Sequence, residues 1–320
     1  MLSVVIPVYN EVESLAILHG ELNAVTSAQQ IDAEFIFVDD GSSDGSWEVI
    51  RRLGAEDSRV RGIRFRRRFG KAAALNAGFR AAHGETIVTL DADLQDNPCE
   101  IPKLLEKLNE GYDIVSGWKQ IRHDPARKVF ASRVFNWLVS HLTGVMLHDH
   151  NCGMKCYRRE IFDEVRLYGE LHRFIPVLAA ARGFRVGEVA IQHRPRRFGR
   201  SKYGIGRYLK GFLDLLTVKF LTGFGQRPQH ILGAVGLLFV LLGLAGLGYL
   251  AIYWVLTHLH PDWNWTPLHD RPALLYSLGA LLFGGQLMSI AFLAELITAQ
   301  HGRDSDAYSI SERLNEPKQN

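Results

Sequence analysis

Cysteine is scarce in this chain: only Cys99, Cys152 and Cys156 occur among 320 residues. Three thiols make no disulfide framework, and no Cys/His set has zinc spacing. Cys152 and Cys156 do not form a CxxC pair either, so all three read as ordinary thiols in a reducing compartment. Charge excess is also missing. A formal net charge of +3 is too small for a dedicated nucleic-acid binder. No GxGxxG follows the opening strand, which leaves a dinucleotide site unsupported. RRFGKAAAL holds a Gly-Lys pair but lacks the earlier Gly and the following Ser/Thr of a P-loop, so ATP hydrolysis is unsupported as well. No internal repeat is present.

Long apolar runs, in contrast, are there. From Ile231 to Thr257, and again from Ala273 to Ala294, no acidic or basic side chain occurs. As helices these reach ~40 Å and ~33 Å, enough to cross a hydrocarbon core of ~30 Å. Both are expected to span a membrane. LSVVIPVYNE is too short for a secretory signal and ends in an acid, so the first 225 or so residues are expected to stay where they are made. Arg200, Lys202, Arg207, Lys210, Lys219 and Arg227 precede the first run, whereas THLHPDWNWTPLHDRP between the runs has one Arg. The positive-inside rule then puts both termini in the cytoplasm. Glycines in the runs (Gly233, Gly236, Gly243, Gly246, Gly284, Gly285) permit close helix packing within or between chains, so a homo-oligomer is possible on this pattern.

The first 120 or so residues alternate. SVVIPVY, EFIFVDD, RGIRF, TIVTLD and DIVSG read as buried strands, with helical patterns over 13–28, 46–56, 71–83 and 98–110 between them. Alternation of this kind implies an α/β fold with a mostly parallel sheet. Ligands of such sheets bind beyond the carboxyl ends of the strands. The acidic clusters Asp39-Asp40 and Asp91-Ala92-Asp93, together with Pro7-Val8-Tyr9-Asn10-Glu11, all fall at that edge. Further on, 127–147 and 171–182 read as helices, and HDHNCGMKCYRREIF reads as a loop leading into a strand and a helix. IGRYLKGFLDLLTVKFLTGF (205–224) reads as an amphipathic helix lying along a membrane.

Like charges packed as densely as in LDADLQDNP need a positive partner. In an extended segment residues i and i+2 point the same way, so Asp91 and Asp93 can approach one object. Mg²⁺ or Mn²⁺ takes oxygen ligands, commonly one or two carboxylates completed by phosphate and water. Gln95 can add a carbonyl oxygen or orient a water. A metal so held can bridge a diphosphate and stabilise it as a leaving group.

VVIPVYNE, VDDGSSDGS, FGKAAALNAG and LDADLQDNP, in that order, resemble family 2 glycosyltransferases of the GT-A fold. With two C-terminal spans and RRFGRSKYG, the chain is similar to the polyprenyl-phosphate glycosyltransferases, such as dolichyl-phosphate mannose and glucose synthases and their bacterial undecaprenyl relatives. The resemblance implies a nucleotide-sugar donor (a UDP- or GDP-hexose) and a polyprenyl phosphate acceptor. It places Pro7, Tyr9, Glu11, Asp39 and Asp40 around the base and ribose, Asp91 on the nucleotide-sugar, and Asp93 and Gln95 on the metal. Lys71 is placed near the diphosphate or at a solvated helix start. It assigns the lipid phosphate to Arg200, Ser201 and Lys202, with Arg122 and Arg133 contributing from the earlier helical region; a plain juxtamembrane basic patch is the alternative.

The resemblance also implies single displacement with inversion. HDHNCGMK resembles the D-x-x-CG-x-K stretch of the glucose-type synthases, which makes Asp149 the candidate base. Some bacterial relatives carry G-D-F where this chain has Cys152-Gly153-Met154, so Asp96, or no base at all, stays open; Asp96 can equally cap the helix near Pro98. Four segments are expected: a cytoplasmic catalytic domain over 1–200, juxtamembrane helices over 201–228, a transmembrane hairpin over 229–298 and a cytoplasmic tail over 299–320, in a bacterial inner membrane. UDP-glucose is favoured as donor and GDP-mannose is second. Two other classes are weighed. A processive polysaccharide synthase would carry Q-x-x-R-W and more spans, and a scaffold with a dead transferase fold would have lost the metal aspartate.

Overall fold

The computed structural model describes residues 1–120, 126–165, 171–195, 197–198, 206–223, 228–260 and 266–301. Two compact units divide between Thr222 and Gly223.

The first unit alternates β1 (Leu2–Val8), α1 (Leu15–Ala28), β2 (Ala33–Asp39), α2 (Ser46–Glu56), β3 (Val60–Arg64), α3 (Lys71–Ala81) and β4 (Thr86–Thr89). There follow α4 (Ile101–Asn109), β5 (Ile114–Lys119), α5 (Ala126–Thr143), β6 (Lys155–Arg158), α6 (Ile161–Glu164), α7 (Ile175–Ala181), β7 (Val186–Ile191) and α8 (Gly206–Gly223). Seven strands form one sheet in the order β3-β2-β1-β4-β6-β5-β7. All neighbours are parallel except β6, which runs antiparallel to both β4 and β5. The mostly parallel sheet read from the sequence is therefore present, with two strands beyond the five expected from the first 120 residues. β6 lies in the strand foreseen after HDHNCGM; β7 was not foreseen.

Because strand side chains alternate between faces, β1 feeds two cores. Val4, Ile6 and Val8 join Phe35 and Phe37 with Leu15, Leu18 and Leu22 of α1 and Leu104 of α4. Val5, Ile36 and Val38 meet Ala74, Leu75 and Phe79 of α3 and Ile175 and Ala179 of α7. A third cluster ties α8 to the domain: Leu215 and Val218 pack with Val139 of α5, Phe174 and Val177. The opposite side of α8 exposes Phe212, Leu213 and Leu216, and α5 with its following turn exposes Val134, Trp137 and Met146. Helix α8 is thus both a packed helix and an amphipathic one.

The second unit is a helical hairpin, α9 (Pro228–Leu259) and α10 (Pro272–His301). Both helices are long and apolar enough to cross a membrane, with mean hydropathy 2.4 and 1.7. Only 11% and 17% of their most apolar windows are buried, which separates them from the core helices of a soluble protein. The glycines act within the hairpin: a Cβ on Gly243 would lie 2.6 Å from the backbone of Leu281, and one on Gly284 2.6 Å from that of Val240.

Candidate active site

The chain runs from β1 outward to β2 and β3, then crosses back to β4 on the other side of β1. A crevice opens where the direction of winding reverses, at the carboxyl ends of β1 and β4. Pro7, Tyr9, Glu11, Asp39, Asp40, Asp91, Asp93 and Gln95 lie at or just beyond the carboxyl ends of β1, β2 and β4, and Lys71 at the start of α3.

On the β1–β2 side, two loops are stitched together. Ser42 Oγ accepts the Asn10 N–H at 2.9 Å, Ser46 Oγ accepts the Glu11 N–H at 2.9 Å, and Asn10 Oδ1 accepts the Ser43 N–H at 2.9 Å. The small polar residues of VDDGSSDGS therefore serve the structure by fixing the loop that carries Tyr9 and Glu11. Asp39 is fully buried; its Oδ1 accepts the Ser42 N–H at 2.9 Å and Arg64 approaches Oδ2 at 3.4 Å. Asp40 accepts the N–H groups of Phe69 (2.6 Å) and Gly70 (2.9 Å), so it anchors the loop leading into α3. That loop lies directly on Gly41, where φ is +71° and a Cβ would meet the Arg67 carbonyl carbon at 2.7 Å. Arg68 sits over the Tyr9 ring, 4.3 Å from its centroid. Pro7, Tyr9 and Glu11 are all partly exposed at the rim.

The anchored loop delivers Lys71, the first residue of α3, across the crevice to Asp91, with Nζ 2.5 Å from Oδ1. Burial tends to raise the Asp91 carboxyl, but the Lys71 ammonium, with Lys119 farther off, outweighs it and holds the group at about 2. Asp91 is consequently an anion at neutral pH. Its position depends on Gly153, because a Cβ there would stand 2.5 Å from Asp91 Oδ2. Thr89 Oγ1 fixes the same loop by donating to the Gly153 carbonyl at 2.7 Å.

Asp91 and Asp93 are both partly exposed, but they do not lie on an extended strand. β4 ends at Thr89, and residues 92–93 form a turn rather than an extended segment. Leu94, at φ +61°, and Ala92 are buried in the core, while Asp91, Asp93 and Gln95 are each partly exposed. The turn buries its apolar residues and leaves the polar ones between them partly open to solvent. Asp93 Oδ1 accepts the Gln95 N–H at 3.2 Å, and the Gln95 amide nitrogen lies 3.3 Å from His193 Nε2.

Asp96 does not cap the following helix. Asn97 does, accepting the Cys99 N–H at 3.1 Å, whereas Asp96 is fully buried against Lys119 at 2.6 Å. Burial pulls the Lys119 amine down, and the Asp96 charge overcomes it and raises it. Asp149 is 1% exposed, and its Oδ1 accepts the Asn151 N–H at 3.1 Å. Neighbouring His150 is fully buried, bonded to Ser140 at 3.0 Å and pushed down to about 4 by burial and by Lys155.

Sequence reasoning gave no role to three further basic side chains of this region. Lys155 is buried and donates to the carbonyls of His150 and Cys152, its amine lowered by desolvation. His172 and Arg173 lie on the 3₁₀ turn Leu171–Phe174. Burial, then Lys71 and Arg173, keep the His172 imidazole well below its ordinary value. Arg133 is exposed on α5. Arg122, Arg200, Ser201 and Lys202 lie outside the described residues.

Among the described residues no group of three or more His, Cys, Asp or Glu forms a ready metal centre. One carboxylate and one carboxamide, partly exposed beside the crevice, are instead the donor set of a hard cation that keeps water and phosphate in its shell. Asp93 and Gln95 fit that description.

A sheet of this order, with an acidic turn after β4 and stitched loops after β1 and β2, defines a GT-A nucleotide-sugar transferase domain. Structural comparison agrees: glucosyl-3-phosphoglycerate synthase from Mycobacterium tuberculosis, solved with Mn²⁺, UDP and phosphoglyceric acid, superposes with a TM-score of 0.55 at 19% identity, over 68% of this chain and 78% of that one. The same enzyme with Mg²⁺ and UDP gives 0.53 at 20% identity, over 68% and 79%. Residues 3–166 match the model of glycosyl transferase family 2. Dodecaprenyl-phosphate galacturonate synthase of Rhizobium johnstonii is 37% identical over 95% of this chain and 89% of that protein. Undecaprenyl-phosphate 4-deoxy-4-formamido-L-arabinose transferase of Aeromonas hydrophila is 36% identical over 93% and 88%. The chain belongs to glycosyltransferase family 2.

Proposed function

We propose that the chain transfers a sugar from a nucleotide-diphospho-sugar to a polyprenyl phosphate, as an integral protein of a bacterial inner membrane with its catalytic domain in the cytoplasm. The observation that carries this reading is the extent of the likeness. Two relatives named for sugar transfer to polyprenyl phosphates match 95% and 93% of the chain, a span that takes in the apolar hairpin as well as the catalytic domain. UDP-glucose and GDP-mannose remain donor candidates, and the names of the relatives add galacturonate and 4-deoxy-4-formamido-L-arabinose.

Tyr9, Glu11 and Pro7 face the base and ribose, while the buried Asp39 and Asp40 act through the loops they anchor. Lys71 and Asp91 flank the diphosphate and sugar. Asp93 and Gln95 would hold Mg²⁺ or Mn²⁺, which when bound supplies positive charge to the departing diphosphate. Arg122, Arg133, Arg200, Ser201 and Lys202 bind the acceptor phosphate. A phosphate oxygen then attacks the anomeric carbon opposite the nucleotide. The bond from that carbon to the nucleotide diphosphate breaks, a bond to the lipid phosphate forms, and the configuration inverts. A phosphate monoester with a second pKa near ~6 is already anionic at neutral pH, so alignment carries most of the rate. Asp149 is the acceptor-side carboxylate, serving as base for any monoanionic acceptor. The apolar faces of α5 and α8 lie on the lipid surface, bringing the domain to the headgroups.

The test is product detection. Purified full-length protein, undecaprenyl phosphate, Mn²⁺ and a panel of UDP-glucose, UDP-galacturonate, UDP-4-deoxy-4-formamido-L-arabinose and GDP-mannose are analysed by mass spectrometry. One lipid-linked monosaccharide is expected, abolished by chelation. Failure of every donor at saturating lipid refutes the reading.

A further inference from the structure

The loop that carries Asp149 is held at the N–H and the carbonyl of that residue by two cross-strand neighbours. Ser116 of β5 and Glu188 of β7 are paired in register. Glu188 Oε1 accepts the Asp149 N–H at 3.0 Å, and Ser116 Oγ reaches the Asp149 carbonyl at 3.4 Å. The second oxygen of Glu188 accepts the His148 N–H at 3.1 Å and lies 2.7 Å from His148 Nδ1. The His148 ring in turn stacks on Trp118, with centroids 4.0 Å apart and planes at 16°. From the other flank, Asn136 of α5 donates to the His148 carbonyl at 2.8 Å and Ser140 to that of Leu147 at 3.2 Å.

Nothing in the strand pairing requires a carboxylate at position 188. An antiparallel or parallel ladder is satisfied by backbone groups alone, and the Glu188 side chain, 12% exposed, bears the cost of partial burial. What it gains is three donors from two successive residues, one of them Asp149, whose Oδ1 accepts the Asn151 N–H. A single carboxylate with two oxygens takes two successive amide N–H groups and the His148 ring at once, and so fixes the backbone at His148 and Asp149.

We propose that Glu188 is a positioning residue for Asp149, setting the acceptor-side carboxylate by gripping the His148 and Asp149 amides; this rests on the proposed function for the part Asp149 plays in transfer. Replacing it loosens the loop at 148–149 and misplaces that carboxylate, while the Gly153 end, held separately by Thr89 Oγ1 at 2.7 Å, keeps Asp91 and the donor affinity in place.

The experiment uses full-length protein carrying Glu188→Ala, Glu188→Gln or Asp149→Asn, with Glu110→Gln on the surface as control. Hydrogen exchange is read on peptides covering 147–151, and kinetics are read with undecaprenyl phosphate and UDP-glucose, UDP-galacturonate or GDP-mannose, whichever the wild type uses. Glu188→Ala is expected to speed exchange at 148–149 and to lower kcat roughly 100-fold, the scale of a misplacement near 1 Å, with donor KM within about 2-fold of wild type. Glu188→Gln, which keeps one acceptor oxygen, falls between. The double variant with Asp149→Asn is no slower than Asp149→Asn alone, because both act through one group. Unchanged exchange at 148–149 in Glu188→Ala overturns the proposal whichever donor reacts. So does a wild-type kcat in Glu188→Ala when Asp149→Asn is impaired. If Asp149→Asn is itself fully active, the function assigned to Asp149 fails, and Glu188 retains no part in transfer.

Discussion

Substituting Gly153 by alanine probes the donor site through one added methyl group. The new Cβ would stand 2.5 Å from Asp91 Oδ2 and 2.8 Å from Cγ, well inside the 3.4 Å at which ordinary contact begins. The loop cannot retreat freely, because its carbonyl holds Thr89 Oγ1 at 2.7 Å. The short Asp91 side chain must therefore swing away and surrender its 2.5 Å contact with Lys71. A hydrogen bond to a charged group contributes about 1.5–3 kcal/mol. If that geometry is what receives the donor, kcat/KM for the nucleotide-sugar falls about 10- to 150-fold. Stability should change far less, since Asp91 stays partly open to water and can be rehydrated. Steady-state kinetics at saturating lipid, beside thermal melting of the same preparation, separates the two effects. A Gly153→Ala enzyme that melts like wild type and keeps its donor kcat/KM within about twofold would refute the reasoning.

Lys119→Met leaves Asp96 buried without its 2.6 Å partner and is expected to cost about 3–5 kcal/mol, seen as a lowered melting temperature. Glu34 provides a pH test. Burial raises its carboxyl, but bonds from Ser3, the His83 N–H and Arg61 prevail and lower it from 4.5 to about 2. The depressed value means that its stabilisation is complete above pH 4.5 and is lost as pH falls toward 2, up to roughly 3 kcal/mol. Glu34→Gln should accordingly flatten the acid limb of the melting profile, and an unchanged limb would contradict the assignment. Trp137, 64% exposed on α5, is expected to rest on lipid. Trp137→Glu should raise the acceptor KM roughly tenfold with the donor KM unaltered; equal acceptor KM values would remove α5 from the membrane surface.

Much of this architecture was legible in the sequence, and the reasons are physical. β1, β2 and β4 are buried on both faces and read as apolar runs, and α2 was bounded correctly at 46–56, with Asp57 as the residue beyond its end. The two helices long and apolar enough to cross a membrane announced themselves by the absence of charge. β7 was missed because VGEVAI mixes glycine, acid and small apolar residues, as suits an edge strand only partly buried. The antiparallel direction of β6, only Lys155–Arg158, is set by its neighbours and leaves no local mark. At the site, the sequence placed the acidic clusters on one edge but could not tell a ligand-facing carboxylate from a structural one. Asp96 finds Lys119 and Asp40 finds the Phe69 amide only through the tertiary fold. Glu188 carried no signal at all, since its partners, two backbone amides and the His148 ring, lie on a distant loop.

The central claim is that the edge between β1, β2 and β4 holds a nucleoside diphosphate through a divalent ion on Asp93 and Gln95. Calorimetric titration of the full-length protein with UDP and with GDP, with and without Mn²⁺, tests it most directly. One nucleotide should bind only with Mn²⁺ present, and Asp93→Asn should abolish that binding while leaving the melting temperature in place. Nucleotide binding that ignores both the metal and Asp93 would contradict the account.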